Sequence, residues 1–282
     1  MPSLLQRLFH PNRYAAIEDV AWASVLERHP FLDRLCPSEK ARLRILATEF
    51  LHTRTITCIG GHRLLDYDLM SIAAQASLPV LYLGLSSYDK FSEVIVYPGE
   101  FLVAREFTDE DGIVHDISGA LAGETMAGGP VVISWDSGEA DAACVDNARN
   151  DTNVVIHEFA HKLDLATGEA DGIPLFRRDL HQGIVAAHWR DAMAAALEDL
   201  RAMVDALEAR FPRHLDPESA AGLALYATLP LDAYASQDPA EFFAVASEAY
   251  FVAPEKLRDA FTEFHDLLDR FYRPKSALKP QQ

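Results

Sequence analysis

Apolar residues recur at helical spacing through the first fifty positions. Ile17, Val20, Ala21, Trp22, Val25 and Leu26 fit one helix over residues 15–28, which His29-Pro30 ends. Leu43, Ile45, Leu46, Phe50 and Leu51 line a second over residues 38–51, with Pro37 ahead of it. The period then shortens. Residues 53–59 are a β-branched run expected as a strand, and residues 64–76 read as a third helix stopped at Pro79. Residues 79–83 are short and apolar, and residues 91–97 alternate. Residues 101–107 and 112–117 read as a hairpin around the acidic turn Asp109-Glu110-Asp111-Gly112. Residues 119–129 are small and glycine-rich and are expected as a mobile loop. Residues 130–135 form a further strand, either at the edge of a cleft, where an extended peptide can pair with it, or in the core.

The second half is mainly helical. A turn-rich loop over 166–174 precedes a long alanine- and leucine-dense stretch, 180–211, that fits one helix or two. Residues 213–218 break it, and 220–231 read as a short apolar helix or a loop. Residues 239–252 form a helix with Pro239 at its start, and Pro254 opens a last helix to about Tyr272. No internal repeat and no linker divides the chain. The expectation is one domain over 1–282: a helical part (1–52), a core (53–272) and a tail (273–282). Its class is α+β, with a small mixed sheet packed on one helix and a mainly helical C-terminal half.

Composition narrows the function classes. Hydrophobic residues make up 49% of the chain, enough for a substantial core. The net charge of −18 disfavours direct binding to nucleic acid and adhesion to anionic membranes. No apolar run is long enough to predict a transmembrane helix, and the N-terminus lacks the apolar core of a signal peptide. The three cysteines, Cys36, Cys58 and Cys144, are widely spaced and read as reduced thiols. A cytoplasmic protein is expected.

The chemistry concentrates in Val154-Val155-Ile156-His157-Glu158-Phe159-Ala160-His161-Lys162-Leu163-Asp164, which contains H-E-x-x-H. On a helix, His157 and His161 are one turn apart on one face, a spacing at which two imidazoles can share one zinc ion. Glu158 lies beside them, placed to act as a base on water rather than as a ligand. Val155, Ile156, Phe159, Ala160 and Leu163 cover the other sides, and the polar run Asn150–Asn153 supplies N-cap types.

A zinc site of this kind needs a third ligand. Asp164 is two turns from His157 and is better placed to orient an imidazole than to join the metal. Glu241 stands on the first turn of a helix among Phe242, Phe243, Ala244 and Val245, where a buried carboxylate requires a partner. Glu248, seven residues on, shares its face and is either a rival ligand or a group behind the ligands. Tyr234 offers a phenol that can donate to an oxyanion.

The combination of His157–Asp164 with Asp232-Ala233-Tyr234-Ala235 and Asp238-Pro239-Ala240-Glu241-Phe242-Phe243-Ala244-Val245 resembles the Mlc titration factor A family of bacterial zinc peptidases. The similarity runs through most of the chain, including Val94-Ile95-Val96-Tyr97-Pro98. The resemblance implies a zincin-like metallopeptidase core of gluzincin type, similar to the anthrax lethal factor peptidase, with one Zn2+ per chain on His157, His161 and Glu241. It implies Glu158 as general base and Tyr234 as transition-state donor. It also implies aminopeptidase activity on peptides and binding to the glucose repressor Mlc. The departure lies at about 197–229, longer and more helical than the family pattern; it bears on the substrate cleft and any repressor contact. The alternatives are a non-catalytic protein that sequesters such a repressor around a structural zinc, and a zinc hydrolase of other substrates. An intact Glu158 favours catalysis.

Overall fold

A computed structural model describes residues 16–59, 64–88, 91–97, 129–135, 153–217 and 219–275, together with the backbone of 101–108, 114–121 and 123–125. The expected N-terminal arm, the acidic turn at 109–112 and most of the tail lie outside the described residues.

Helix α1 is Asp19–Arg28 and buries Trp22 and Val25. It begins four residues later than its apolar pattern. A 3-10 turn, Pro30–Arg34, leads to α2, Pro37–Thr53. Its start is fixed by Pro37 at the first position and by Cys36 N donating to Glu39 Oε2 at 2.8 Å. Strand β1 is Thr55–Cys58. Helix α3, Asp66–Ser77, is closed at its start by Leu65 N on Asp68 Oδ2 at 2.8 Å, and is buried continuously from Ser71 to Ser77. Five of those seven residues are serine or alanine.

Strands β2 (Glu93–Tyr97), β3 (Phe101–Thr108), β4 (Val114–Leu121), β5 (Gly123–Thr125) and β6 (Val131–Ser134) complete the β structure. One four-stranded sheet has the order β1-β2-β6-β5. The pairs β1–β2 and β2–β6 are parallel, and β5 runs antiparallel to β6 with Gly123 opposite Ile133 and Thr125 opposite Val131. The sheet is therefore mixed. Strands β3 and β4 form a separate hairpin with Phe101 opposite Leu121. One expectation is corrected here: the stretch 119–129 is not simply a loop, because 119–121 end β4 and 123–125 pair with β6. Of the two readings of 130–135, the interior one fits, because β6 lies between β2 and β5.

The central helix, α4, is Val154–Asp164. The long stretch after it forms one helix, α5, Ala186–Glu208, and the break is followed by the short α6, Ala220–Tyr226. Then come α7 (Pro239–Val252), α8 (Pro254–Ala260) and α9 (Thr262–Tyr272). The single last helix expected from the sequence is two, broken where Phe261 leaves helical backbone (φ −126°, ψ 53°) to bury its ring.

A continuous core joins both halves. On one side of α4, the Phe159 ring meets Phe50, Tyr88 and Phe91 edge-on, at centroid distances of 5.6, 5.1 and 5.7 Å. In the C-terminal half, Trp189 of α5 packs against Phe243, Phe264 and Phe271 at 5.3–6.0 Å. Such ring pairs add about 0.5–1.5 kcal/mol each beyond the area they bury. Between them they clamp α4 and α7 against each other.

Candidate metal centre

Helix α4 is held by its apolar side. Val155, Ile156, Phe159, Ala160 and Leu163 are each at most 3% exposed. Asn153 Oδ1 caps the first turn by accepting from Ile156 N at 2.9 Å. With that side fixed, the helical repeat turns His157 and His161 toward α7. The start of α7 is equally defined: Asp238 Oδ1 accepts from Ala240 N at 2.8 Å and from Glu241 N at 3.0 Å, with Pro239 at the first position. Glu241 therefore projects from the first turn, where the helix dipole favours a carboxylate.

The two helices bring three donor atoms to one point. His157 Nε2 and His161 Nε2 are 3.2 Å apart, and Glu241 Oε2 lies 3.2 Å from the first and 3.3 Å from the second. A tetrahedral zinc with bonds of about 2.0–2.1 Å holds its donors about 3.3–3.4 Å apart. The triangle matches that spacing. Glu241 Oε2 is also buried without a hydrogen bond. A buried carboxylate oxygen facing two imidazole nitrogens, with no hydrogen bond to satisfy it, is what a shared cation would compensate. Among the described residues, these three form the group of histidine, cysteine and carboxylate side chains able to hold a metal.

Charge couples the group further. Burial pulls the His157 pKa down, but the facing carboxylates of Glu241 and then Glu248 outweigh it and raise it to about 10. Burial pushes Glu241 up, and the two imidazoles more than reverse this, holding it far below the usual carboxylate range. A metal binding there would have to displace the proton that the raised pKa favours on His157.

Behind the donors, Glu248 Oε2 lies 3.5 Å from His157 Nδ1, on the ring edge opposite the triangle. Its Oε1 accepts from Asn153 N. Asn153 Nδ2 in turn donates to Gln75 Oε1 of α3 at 2.5 Å. The chain Gln75–Asn153–Glu248–His157 thus links three helices at the imidazole. Glu158 is 3% exposed beside the donors. Its neighbour Lys162 donates to Gly129 O at 2.6 Å, tying α4 to the start of β6. Tyr234 stands in the 3-10 turn Ala233–Ser236, capped by Asp232 Oδ1 on Tyr234 N at 3.0 Å. Its ring centroid is 6.2 Å from that of His157, and it is 36% exposed. The structure therefore brings the part-exposed Tyr234 ring beside the His157 imidazole.

Asp164 has another partner. Its Oδ2 accepts from Gly172 N at 2.9 Å, and its Oδ1 is buried without a hydrogen bond. Burial raises its pKa to about 6, against the pull of the Gly172 N–H. Gly172 has φ +75°, and a Cβ there would lie 2.5 Å from Pro239 O. The glycine thus lets the loop after α4 press against the first residue of α7, two positions before Glu241.

Sequence reasoning named His157, His161, Glu241, Glu158, Tyr234 and Glu248, which the structure places at or beside this cluster. It missed Gln75. The available signal was an amide inside the small-residue run Ser71-Ile72-Ala73-Ala74-Gln75-Ala76-Ser77, but its partner lies 78 residues away.

A two-histidine, one-carboxylate donor set on facing helices beside a small sheet is the arrangement of a metallopeptidase-like domain. The chain belongs to the glucose-regulated metallo-peptidase M90 family, whose model matches residues 7–273. It is 36% identical over 257 residues to Mlc titration factor A of Pectobacterium atrosepticum, covering 90% of this chain and 86% of that protein. It is 35% identical over 262 residues to Mlc titration factor A of Salmonella gallinarum, covering 91% and 86%. The resemblance noted from the motifs is thereby shown. No helix among the described residues is long and apolar enough to cross a membrane.

Proposed function

We propose that the chain is a cytoplasmic, zinc-dependent peptidase with a zincin-like core, acting as an aminopeptidase. The observation that carries this reading is the triangle of His157, His161 and Glu241 at 3.2–3.3 Å. A zinc bound there would lower the pKa of a water toward about 7 and polarise a carbonyl. Glu158, next to His157 and nearly buried, is the base that takes the proton of the attacking water and returns it to the leaving amine. Tyr234 donates to the oxyanion. Glu248 holds His157 by its far edge, and Asp164 holds the loop that abuts α7.

The test is a screen of aminoacyl and peptide substrates with and without a chelator. Hydrolysis that the chelator abolishes and added zinc restores supports the reading; hydrolysis indifferent to chelation contradicts it.

A second reading rests on the relatives' name, Mlc titration factor A. Binding of a Mlc-like repressor, alongside catalysis or instead of it, suits an acidic chain of net charge −18 meeting a basic DNA-binding partner. A pull-down of such a repressor with Glu158→Gln separates the roles: retained binding without hydrolysis assigns them to different features.

A further inference from the structure

The turn that carries Tyr234 is gripped from outside by the long helix α5. That helix is fixed by its apolar face: Trp189, Leu197, Leu200 and Val204 are each at most 7% exposed. Arg201 follows Leu200 and lies on the exposed side. Its guanidinium reaches the junction between the 3-10 turn Ala233–Ser236 and α7. Nε donates to Ser236 O at 2.8 Å, and Nη2 donates to Gln237 O at 2.9 Å. Two bonds from one planar fork fix direction as well as distance.

These two carbonyls sit between Tyr234 and Glu241 in the chain, and the backbone that follows offers them no donor. Pro239 has no N–H. The amides of Ala240 and Glu241 both go to Asp238 Oδ1, and Phe242 N opens the ladder of α7 on Asp238 O at 3.0 Å. The Arg201 fork therefore satisfies what the start of α7 leaves over. Tyr234 and Glu241 differ in what else holds them. Glu241 is fixed by the Asp238 cap and by a helix in which Phe242 and Phe243 are fully buried. The Tyr234 turn is four residues long, and Ala235 is its buried residue. Such a short 3-10 segment has poor hydrogen-bond geometry of its own. Loss of the Arg201 bonds thus falls on Tyr234 and leaves Glu241 in place.

We propose that Arg201 is a positioning residue for Tyr234: its bonds to Ser236 O and Gln237 O hold the phenol where it donates to the oxyanion. The inference rests on the peptidase reading above. Arg201 acts through the turn and not on substrate or metal. A donor aimed at developing charge loses its effect when its aim is loosened, even while the hydroxyl is still present. Helix α5, which supplies neither a metal donor nor the base, thereby gains a part in the reaction.

The test compares the full, zinc-loaded chain with Arg201→Met, Arg201→Lys, Tyr234→Phe and the double variant Arg201→Met with Tyr234→Phe. Arg201 is exposed and methionine keeps an unbranched stem of good helix propensity, so fold and zinc content are expected to hold. Hydrogen exchange of the amides over 233–237 should be about threefold or more faster in Arg201→Met. On an aminoacyl para-nitroanilide, Arg201→Met should lower kcat about tenfold with KM little changed. Arg201→Lys keeps the charge but not the fork and should fall between. In the Tyr234→Phe background, Arg201→Met should lower kcat by less than about twofold further. Unchanged exchange in Arg201→Met overturns the proposal whether or not the chain hydrolyses the substrate. Unchanged kcat in Arg201→Met overturns it too, as do effects that multiply in the double variant; the peptidase reading survives both. A wild-type chain that hydrolyses no such substrate refutes the peptidase reading, and faster exchange would then leave Arg201 a brace of the turn with no part in catalysis.

Discussion

Glu248 Oε2 lies 3.5 Å from His157 Nδ1, while the opposite nitrogen of the same ring faces Glu241. One helix thus supplies both a donor for the metal triangle and the brace that turns a second donor toward it. Glu248→Gln should lower metal affinity by about 10–100-fold, the usual cost of losing such a partner. Gln75→Leu, one step further along the same chain, should have a smaller effect in the same direction. Competition with a calibrated chelator reads both. Unchanged affinity in Glu248→Gln would assign the brace to the fold alone.

Glu158→Gln should keep the metal and lose hydrolysis. The amide preserves size but cannot take a proton, and general-base catalysis is worth about 10²–10⁴-fold. Steady-state rates with the metal-loaded variant check this. Near-wild-type turnover would remove Glu158 from the base role.

Tyr234→Phe deletes one hydroxyl from the part-exposed ring beside His157. The expected result is a fall in kcat of about 10²-fold or more with KM little changed, because the donor acts on the oxyanion and not on the ground state. A rise in KM with kcat preserved would make Tyr234 a substrate-binding residue instead.

His29 links acidity to stability. Its ring is 4% exposed and its Nε2 has no hydrogen-bond partner; burial, with Arg28 adding to it, lowers its pKa from 6.5 to about 4. The folded state therefore holds fewer protons at this group than the unfolded chain. The stability it protects is complete above pH 6.5 and is lost as pH falls toward about 4. The loss is up to about 3 kcal/mol. His29→Phe keeps the ring packing on Phe31 and should flatten that part of the profile. Denaturant titrations of both proteins between these two pH values give the difference.

The parts legible in the sequence were those written locally. The apolar side of α4 and its H-E-x-x-H motif occupy eleven consecutive residues, and Glu241 announced itself as a carboxylate in apolar company. The strand β5 was not legible. Three residues beginning with a glycine carry no alternation, and their strand character exists only through pairing with β6. The break in the last helix had no proline or glycine to mark it; burial of Phe261 sets it. The start of α5 at Ala186 was hidden because the apolar pattern begins earlier, while Gly183 at φ +90° holds a turn there. Asp164 was expected beside an imidazole, but its hydrogen-bond partner comes from a loop whose path Gly172 decides. In each case the missing information was tertiary.

The central claim is that His157, His161 and Glu241 hold one zinc ion. Metal analysis by mass spectrometry of the purified wild-type chain beside Glu241→Ala tests it most directly. One zinc per wild-type chain, largely lost in Glu241→Ala, is the result this account predicts. Equal zinc in the two proteins, or none in the wild type after incubation with zinc, would contradict it.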